Sequence, residues 1–284
     1  MQDIAVCVKQ VPNTTNIKLD PENHTLIREG VESILNPFDE LALDWALKCK
    51  KLYGVKVGVI TMGPPQAEEI LSSCIEKGAD QGILITDKRL AGSDTLITAK
   101  VLFSCLKKTN YKNIFCGQES IDSSTGHIGA SLAELFDSPQ INYISEILQV
   151  NKSTARVKLE WEDKVHILDV ELPAVFSFKK SHRRVSDTGQ IGKYPEKKVR
   201  TYNLDDLELD ENEVGLKGSP TRVVDIDLDE NAIDILRVDE HLPSFKRIEY
   251  ILSGGVEINP ERIILQGSSI SNIELLLDIL QKYQ

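Results

Sequence analysis

The first half of the chain alternates between two hydrophobic patterns. Short, nearly continuous apolar runs such as IAVCVKQV and VKVGVITM are typical of buried strands, and the longer stretches between such runs carry apolar residues at helical spacing. The first pattern predicts strands over residues 4–11, 55–62, 81–86 and 113–116, and the second predicts helices over residues 37–52, 65–77, 94–108 and 125–136. This order predicts an α/β fold: a doubly wound, mostly parallel sheet of the Rossmann-like, adenine-nucleotide-binding type, with helices on both faces.

Helix-start signals mark the first predicted helix. Asn36 is placed to be its N-cap, and Pro37 occupies the first helical position. Asp39 and Glu40 put acidic side chains in the first turn, where the helix dipole is positive. We therefore expect this helix to begin at residue 37.

Two elements lie outside this alternation. Residues 154–160 and 165–171 alternate between apolar and polar positions, which predicts an antiparallel β-hairpin that extends the sheet. Residues 272–280 have the pattern of an amphipathic helix with Ser271 as its cap, which would pack on its own domain or on a partner.

The residues best suited to ligand binding lie in the loops at the carboxyl ends of the predicted strands. Ligands of doubly wound sheets bind at that edge. After the second strand, Gly63 permits close backbone approach and Pro65 can open a helix. After the fourth strand, residues 117–129 are rich in Gly, Ser and Thr and lead into a helix, which is the composition of a phosphate cradle. The alternative is an ordinary loop whose hydroxyls cap that helix.

Composition narrows the class of function. The chain has 284 residues, a net charge of −11 and 41% hydrophobic residues, which describes an acidic globular protein rather than a general nucleic-acid binder. Its apolar runs are too short for a membrane helix, and the first residues lack a signal-peptide pattern. We expect a cytoplasmic location and no membrane insertion.

Metal and standard catalytic motifs are missing from the sequence. The cysteines lack metal-ligand spacing and are expected to be reduced core residues, and the histidines are equally dispersed, with only His127 lying in a candidate loop. The sequence contains no dinucleotide-binding G-x-G-x-x-G after the first strand, no P-loop and no nucleophile elbow. The cysteines are Cys7, Cys49, Cys74, Cys105 and Cys116. A nucleotide site without catalytic apparatus is therefore predicted.

Several motifs in fixed order resemble electron-transfer flavoprotein beta subunits. The longest is VKQVPNTTNIKLDPENHTLIREGVESILNPFDELAL, and TMGPPQAEEIL, GSDTLITAKVL and CGQESIDSSTGHIGASLAELFDSPQ follow it in register. VELPAV and GLKGSPT extend the resemblance more thinly into the second half. It implies a heterodimer with a larger alpha subunit that carries FAD, and a nucleotide bound in the beta subunit itself.

The resemblance also implies the residues that hold this nucleotide. Backbone groups at Cys7 and Met62 would hold the adenine edge, although core packing is the alternative for their side chains. Ser123, Thr125 and Gly126 would surround the phosphates together with His127. The full implied set is Cys7, Asn36, Pro37, Phe38, Asp39, Met62, Gly63, Asp94, Thr95, Gly117, Gln118, Glu119, Ser120, Ile121, Asp122, Ser123, Ser124, Thr125, Gly126, His127 and Ile128.

The bound nucleotide is expected to be FAD, with AMP as the alternative. The motifs LIREG, NPFD, MGPPQAEE, G-x-D-T-L-x-T-A and GLKGSPT resemble the bifurcating branch of the family, in which the complex exchanges electrons with NADH. Asp94 and Thr95 then become candidate contacts to the flavin half of FAD. The same pair opening a helix is also a plain N-cap.

The segment after Phe178 departs from the family pattern. It keeps a basic character that suits docking on an acidic flavin dehydrogenase of the acyl-CoA or another type, and Val185 is the positional candidate for its anchor. Its basic residues are Lys179, Lys180, Arg183, Arg184, Lys197, Lys198 and Arg200. We predict a nucleotide-binding domain over residues 1–178, and a recognition loop with a C-terminal arm over residues 179–284 that packs on the alpha subunit.

Two other functions remain open at the level of sequence. An adenine-nucleotide hydrolase of the same fold would need a metal-binding acid, and Asp122 is the candidate. A nucleotide sensor would carry no flavin and no electron-transfer partner.

Overall fold

A computed structural model describes residues 1–13, 33–162, 164–179 and 199–221 of the chain. The strands are β1 (Ile4–Cys7), β2 (Gln10–Pro12), β3 (Ser33–Leu35), β4 (Val57–Met62), β5 (Gln81–Ile85), β6 (Asn113–Gly117), β7 (Gln140–Val150), β8 (Thr154–Trp161), β9 (Lys164–Glu171), β10 (Val175–Phe178) and β11 (Val199–Tyr202). The α-helices are α1 (Pro37–Tyr53), α2 (Glu68–Lys77), α3 (Thr95–Lys107), α4 (Ile128–Phe136) and α5 (Gly215–Gly218), and 3₁₀ turns cover Pro65–Ala67 and Lys88–Leu90.

Nine strands form the main sheet, in the order β11-β5-β4-β1-β6-β10-β7-β8-β9. Every pair from β11 to β7 is parallel, and β7, β8 and β9 continue the sheet with antiparallel pairing. The predicted α/β class, its mostly parallel sheet and the hairpin extension are confirmed. The chain builds outward from β1 in both directions, so the boundary between β1 and β6 is the switch point where such sheets bind ligands.

Helices cover both faces of the sheet because successive residues of each buried strand point to opposite sides. Ile4 and Val6 belong to a core cluster that includes most of the buried residues of α1 and α2. Ala5 and Cys7 belong to a second cluster that includes most of the buried residues of α3 and α4. The strand thus contributes alternate side chains to two cores, which accounts for its nearly continuous apolar sequence.

The single strand predicted over residues 4–11 is wrong. β1 ends at Cys7, and β2 pairs with β3 in a separate two-stranded antiparallel sheet. The chain leaves the main sheet at Lys9, whose N–H donates to the Asp39 carboxylate and whose carbonyl accepts from the Asn36 N–H, each at 2.9 Å. Hydrophobicity continues across this break because Val11 is also buried.

Two of the predicted helices differ from the structure in their first turn. The helix predicted over residues 125–136 begins at Ile128, because Gly126 has a φ of +66° and a left-handed residue cannot belong to a right-handed helix. The helix predicted over residues 65–77 begins with the 3₁₀ turn and becomes α-helical at Glu68. The helix predicted over residues 37–52 starts at Pro37 as expected.

Several predictions concern residues outside the described ranges. The predicted basic segment, Lys179 to Arg200, lies there except for its two ends, and Arg200 belongs to β11. The anchor candidate Val185 and the amphipathic helix predicted over residues 272–280 also lie there. The division into residues 1–178 and 179–284 stays a prediction, and β11 (Val199–Tyr202), which lies beyond that boundary, is the edge strand of the main sheet. Within the described ranges, no helix has the length and apolar character needed to cross a bilayer.

Candidate functional site

A cavity of about 460 Å³ opens at the carboxyl ends of β1, β4 and β6. Pockets of roughly 300 to 1,000 Å³ are typical of small-molecule and cofactor sites. Each of the three strands contributes its end to the lining, through Cys7, Met62 and Gly117. The cavity therefore lies at the switch point of the sheet, where the loop compositions predict a nucleotide.

Most of the residues predicted from the sequence line this one cavity. They are Cys7, Asn36, Asp39, Met62, Asp94, Thr95, Gly117, Gln118, Glu119, Ser120, Ser123, Thr125, Gly126, His127 and Ile128. The predicted residues outside the lining are Pro37, Phe38, Gly63, Ile121, Asp122 and Ser124. Their contacts with a nucleotide all remain predictions.

Asn36 holds the loop that follows β6 against the start of α1. It occupies the predicted N-cap position, but its side chain makes no capping hydrogen bond. Its amide instead donates to the Glu119 carbonyl at 2.8 Å and accepts from the Ile121 N–H at 3.3 Å. The side chain thus positions the candidate phosphate loop rather than the helix.

Asp39 joins the ends of β1 and β6 beneath the cavity. Its buried carboxylate accepts the Lys9 N–H on one oxygen and the Gly117 N–H on the other, both at 2.9 Å. Burial raises the pKa of this carboxyl to about 7, although the hydrogen bonds that it accepts favour the ionised form. Asp39 is therefore part of the frame of the site and has a pKa near neutrality.

The pH dependence of the free energy of unfolding should reveal the raised pKa of Asp39. Because that pKa is raised from 3.8 to about 7 in the folded state, its contribution is fully present below pH 3.8 and is lost as pH rises to about 7. Relative to Asp39→Asn, the free energy of unfolding of the wild type should fall by up to roughly 4 kcal/mol across this window. Urea unfolding at about pH 4 and pH 8 measures the difference.

Asp169→Asn is the matched control for this measurement. The hydrogen bond from Arg156 lowers the pKa of Asp169, so its contribution has the opposite sign and is lost toward acid pH. A stability difference between wild type and Asp39→Asn that stays constant with pH would contradict the raised pKa.

The loop between β6 and α4 is shaped by its own hydrogen bonds. The hydroxyls of Ser120 and Ser123 lie 2.8 Å apart, and the Ser124 N–H donates to the Ser120 carbonyl at 2.8 Å. The N-cap position of α4 is His127, which makes no capping hydrogen bond with its side chain. The alternative in which the Ser and Thr hydroxyls of this loop cap the helix is therefore wrong.

Asp94 caps α3 and also anchors a distant segment. One carboxylate oxygen accepts the Ile97 N–H at 3.0 Å, and the other accepts the Thr221 N–H at 3.1 Å and its hydroxyl at 2.8 Å. The Asp94 N–H donates to the Ser219 hydroxyl at 2.8 Å. The helix-cap interpretation of Asp94 is thus confirmed, and GLKGSPT is the segment that it anchors.

The electron transfer flavoprotein domain matches residues 23–207 of the chain. The chain is 42% identical to the electron transfer flavoprotein subunit beta of Thermoanaerobacterium thermosaccharolyticum, over 78% of this chain and 86% of that protein. It is 39% identical to the corresponding subunit of Clostridium acetobutylicum, over 78% and 86% of the two chains. The chain belongs to the electron transfer flavoprotein beta-subunit family. Its class of function is therefore electron transfer.

A third relative names a larger assembly. The chain is 37% identical to the caffeyl-CoA reductase-Etf complex subunit CarD of Acetobacterium woodii, over 78% of this chain and 85% of that protein. The family resemblance predicted from the motifs is confirmed by these matches.

The residues predicted from the sequence do not include every residue that lines the cavity of this electron transfer flavoprotein subunit. Thr98 and Leu102 line the cavity together with Asp94, and the spacing of four residues along α3 is a signal that could have found them. Lys9 was missed because it lay inside the strand predicted over residues 4–11. The other missed lining residues are Val8, Ile60, Ser93 and Cys116.

The five thiols of this electron transfer flavoprotein subunit are buried, as predicted. Cys7 and Cys116 line the cavity at the ends of neighbouring strands. Burial raises the pKa of the Cys116 thiol to about 12 and that of Cys7 well above its ordinary value. Both are therefore protonated at neutral pH and form an apolar part of the cavity wall.

Proposed function

We propose that the cavity binds the adenine nucleotide of an electron transfer flavoprotein and that this nucleotide is FAD. The observation that carries the proposal is the position of the cavity at the switch point, with the loop from Gly117 to Ile128 along one side. The Gly-rich backbone and hydroxyls of this loop suit phosphate oxygens.

A second wall of the cavity, formed at α3, favours FAD over AMP. The α3 side of the cavity adds Ser93, Thr98 and Leu102, which lie apart in sequence from the phosphate loop. This wall offers hydroxyl and apolar groups to a part of the ligand beyond the phosphates. AMP binding by the same loop remains the second candidate. Asp94 is a residue expected to contact the flavin half of FAD, and both of its carboxylate oxygens already accept hydrogen bonds from the protein.

With an alpha subunit, the protein would shuttle electrons between NADH or a flavin dehydrogenase of the acyl-CoA type and other carriers, by flavin-based electron bifurcation. The name of the Acetobacterium relative joins a caffeyl-CoA reductase to an Etf complex and supports a partner of this type. No bond-making step is assigned to this chain, whose role is to hold the nucleotide and position it for transfer.

The hydrolase alternative loses support from the surroundings of Asp122. Its side chain is 6% exposed, is paired with Lys9 at 2.7 Å and does not line the cavity. Burial raises the pKa of Asp122, but the Lys9 and Ser120 hydrogen bonds more than offset this and lower it overall. The carboxylate is thus engaged by a lysine rather than presented to a metal.

Counting the nucleotides of the native complex tests the proposal. The heterodimer of this chain and its alpha subunit should release two FAD per heterodimer on acid extraction, measured by chromatography and absorbance. NADH should then reduce the complex directly. One FAD and one AMP would establish the simple carrier, and one FAD alone would remove the nucleotide site from this chain.

A variant on α3 sharpens the count. Thr98→Phe should lower the FAD bound to this chain and leave AMP binding intact, because the larger side chain fills the wall away from the phosphate loop. Lys100→Phe, an exposed position on the same helix, is the matched control and should keep both flavins.

A further inference from the structure

Lys9 is the only lysine or arginine among the described residues that line the cavity. Acidic residues are more numerous there, since Asp39, Asp94 and Glu119 also line it. A phosphate entering this cavity meets several carboxyl groups and one permanent cation. Because the carboxyl groups repel an anion, the Lys9 ammonium group is expected to contribute strongly to the affinity for any anionic ligand.

The backbone of Lys9 is fixed from both sides. Its N–H donates to the Asp39 carboxylate and its carbonyl accepts from the Asn36 N–H, each at 2.9 Å. Both partners are buried. The side chain is 45% exposed and thus has room to turn about a stationary backbone.

The ammonium group of Lys9 lies against the candidate phosphate loop. Its Nζ donates to the Asp122 carboxylate at 2.7 Å and is 3.3 Å from the Ser120 hydroxyl and 3.5 Å from that of Ser123. Ser120 and Ser123 line the cavity, whereas Asp122 does not. The lysine therefore joins the buried carboxylate to the two hydroxyls that face the ligand space.

We propose that Lys9 binds the phosphate of the nucleotide, together with the Ser120 and Ser123 hydroxyls, and that Asp122 holds its ammonium group in place. This inference rests on the proposed nucleotide site and adds a charged residue to it. A lysine beside hydroxyls on a Gly-rich loop supplies the positive charge that backbone N–H groups alone provide only in part.

The test compares adenosine with AMP, which differ by the phosphate. Calorimetric titrations use the full chain after its nucleotide has been removed. Lys9→Met should weaken AMP binding by about 10- to 100-fold, the range of a charged hydrogen bond, and leave adenosine binding unchanged. Lys56→Met, which removes the same charge directly before β4 at the opposite end of the sheet, should change neither affinity.

A double variant separates direct contact from loss of charge balance. Lys9→Met leaves Asp122 without its lysine, and an unpaired carboxylate could itself repel AMP or disturb the loop. Lys9→Met with Asp122→Asn restores the net charge of the wild type and removes this repulsion. The proposal expects the loss of AMP affinity to persist, and recovery to the wild-type affinity would overturn it.

The remaining outcomes are also decisive. An equal loss of adenosine and AMP would make Lys9 a support for the cavity, and an unchanged AMP affinity would remove it from the site. Either result overturns the inference and leaves the nucleotide site standing. A wild-type chain that binds neither adenosine, AMP nor FAD would overturn the proposed function and the inference together.

Discussion

Gly126→Leu should remove at least about 99% of the nucleotide affinity of this chain, a loss of some 3 kcal/mol. Gly126 lines the cavity, and a Cβ there would lie 3.3 Å from the Gln118 carbonyl oxygen. Its φ of +66° is a left-handed conformation that costs a leucine about 1 to 2 kcal/mol. The side chain would thus reshape the loop and occupy space that the ligand needs. Calorimetric titration with FAD and AMP measures the loss.

Gly54→Leu separates the two effects. Gly54 ends α1 with a φ of +68°, and a Cβ there would meet no atom within 4 Å. This control carries the same backbone strain away from the cavity and should lose stability while keeping its nucleotide. A folded Gly126→Leu protein with wild-type nucleotide content would refute the assignment of the site.

Gly117→Ala should destabilise the protein by about 2 to 3 kcal/mol and lower its nucleotide content, the second large effect that we expect. A Cβ on Gly117 would lie 2.5 Å from Asp39 Oδ1, 2.6 Å from the Phe38 Cβ and 2.8 Å from the Phe38 carbonyl carbon. Because part of this obstacle is backbone, the start of α1 would have to move. The hydrogen bond from the Gly117 N–H to Asp39 would be strained as well. Urea unfolding measures the stability.

Gly63→Ala is the matched control at the same edge of the sheet. Gly63 directly follows β4, and a Cβ there would meet only the Ala67 side chain, at 3.1 Å. We expect a cost below about 1 kcal/mol, since this one contact is relieved by a small shift, whereas Gly117→Ala meets three atoms at 2.5 to 2.8 Å. Equal stability of Gly117→Ala and wild type would show that the start of α1 can move away from β6 at no cost. That result would contradict the role of Asp39 in fixing α1 to the end of β6.

The nucleotide loop could be found from composition because its chemistry is local. Glycines, hydroxyls and the start of a helix follow one another within residues 117–129, and most of these residues do line the cavity. The internal arrangement of the loop could not be found in this way. The left-handed Gly126 stops α4 from beginning at Thr125, and the serine hydroxyls bind within the loop and to Lys9 instead of capping the helix.

Strand boundaries show where hydrophobicity stops being informative. Residues 4–11 form one apolar pattern, yet they serve two different sheets. The break is made by Asn36 and Asp39, which take the backbone hydrogen bonds of Lys9 that a continued strand would have given to its neighbour. The hydrophobic pattern shows which side chains are buried, but not which backbone groups form hydrogen bonds with residues distant in sequence.

The sequence by itself determined the order of strands and helices, the doubly wound class and the family, because these depend on periodicity and on motifs within short segments. The tertiary structure decided which of those segments meet. Lys9 and Asp122 are 113 residues apart, and Asp39 and Gly117 are 78 apart, yet each pair is in hydrogen-bond contact. The strand order β4-β1-β6 brings them together by placing the carboxyl ends of non-consecutive strands side by side. Such long-range neighbours leave no periodic signal along the chain, so the charge and the frame of the site became visible only in the fold.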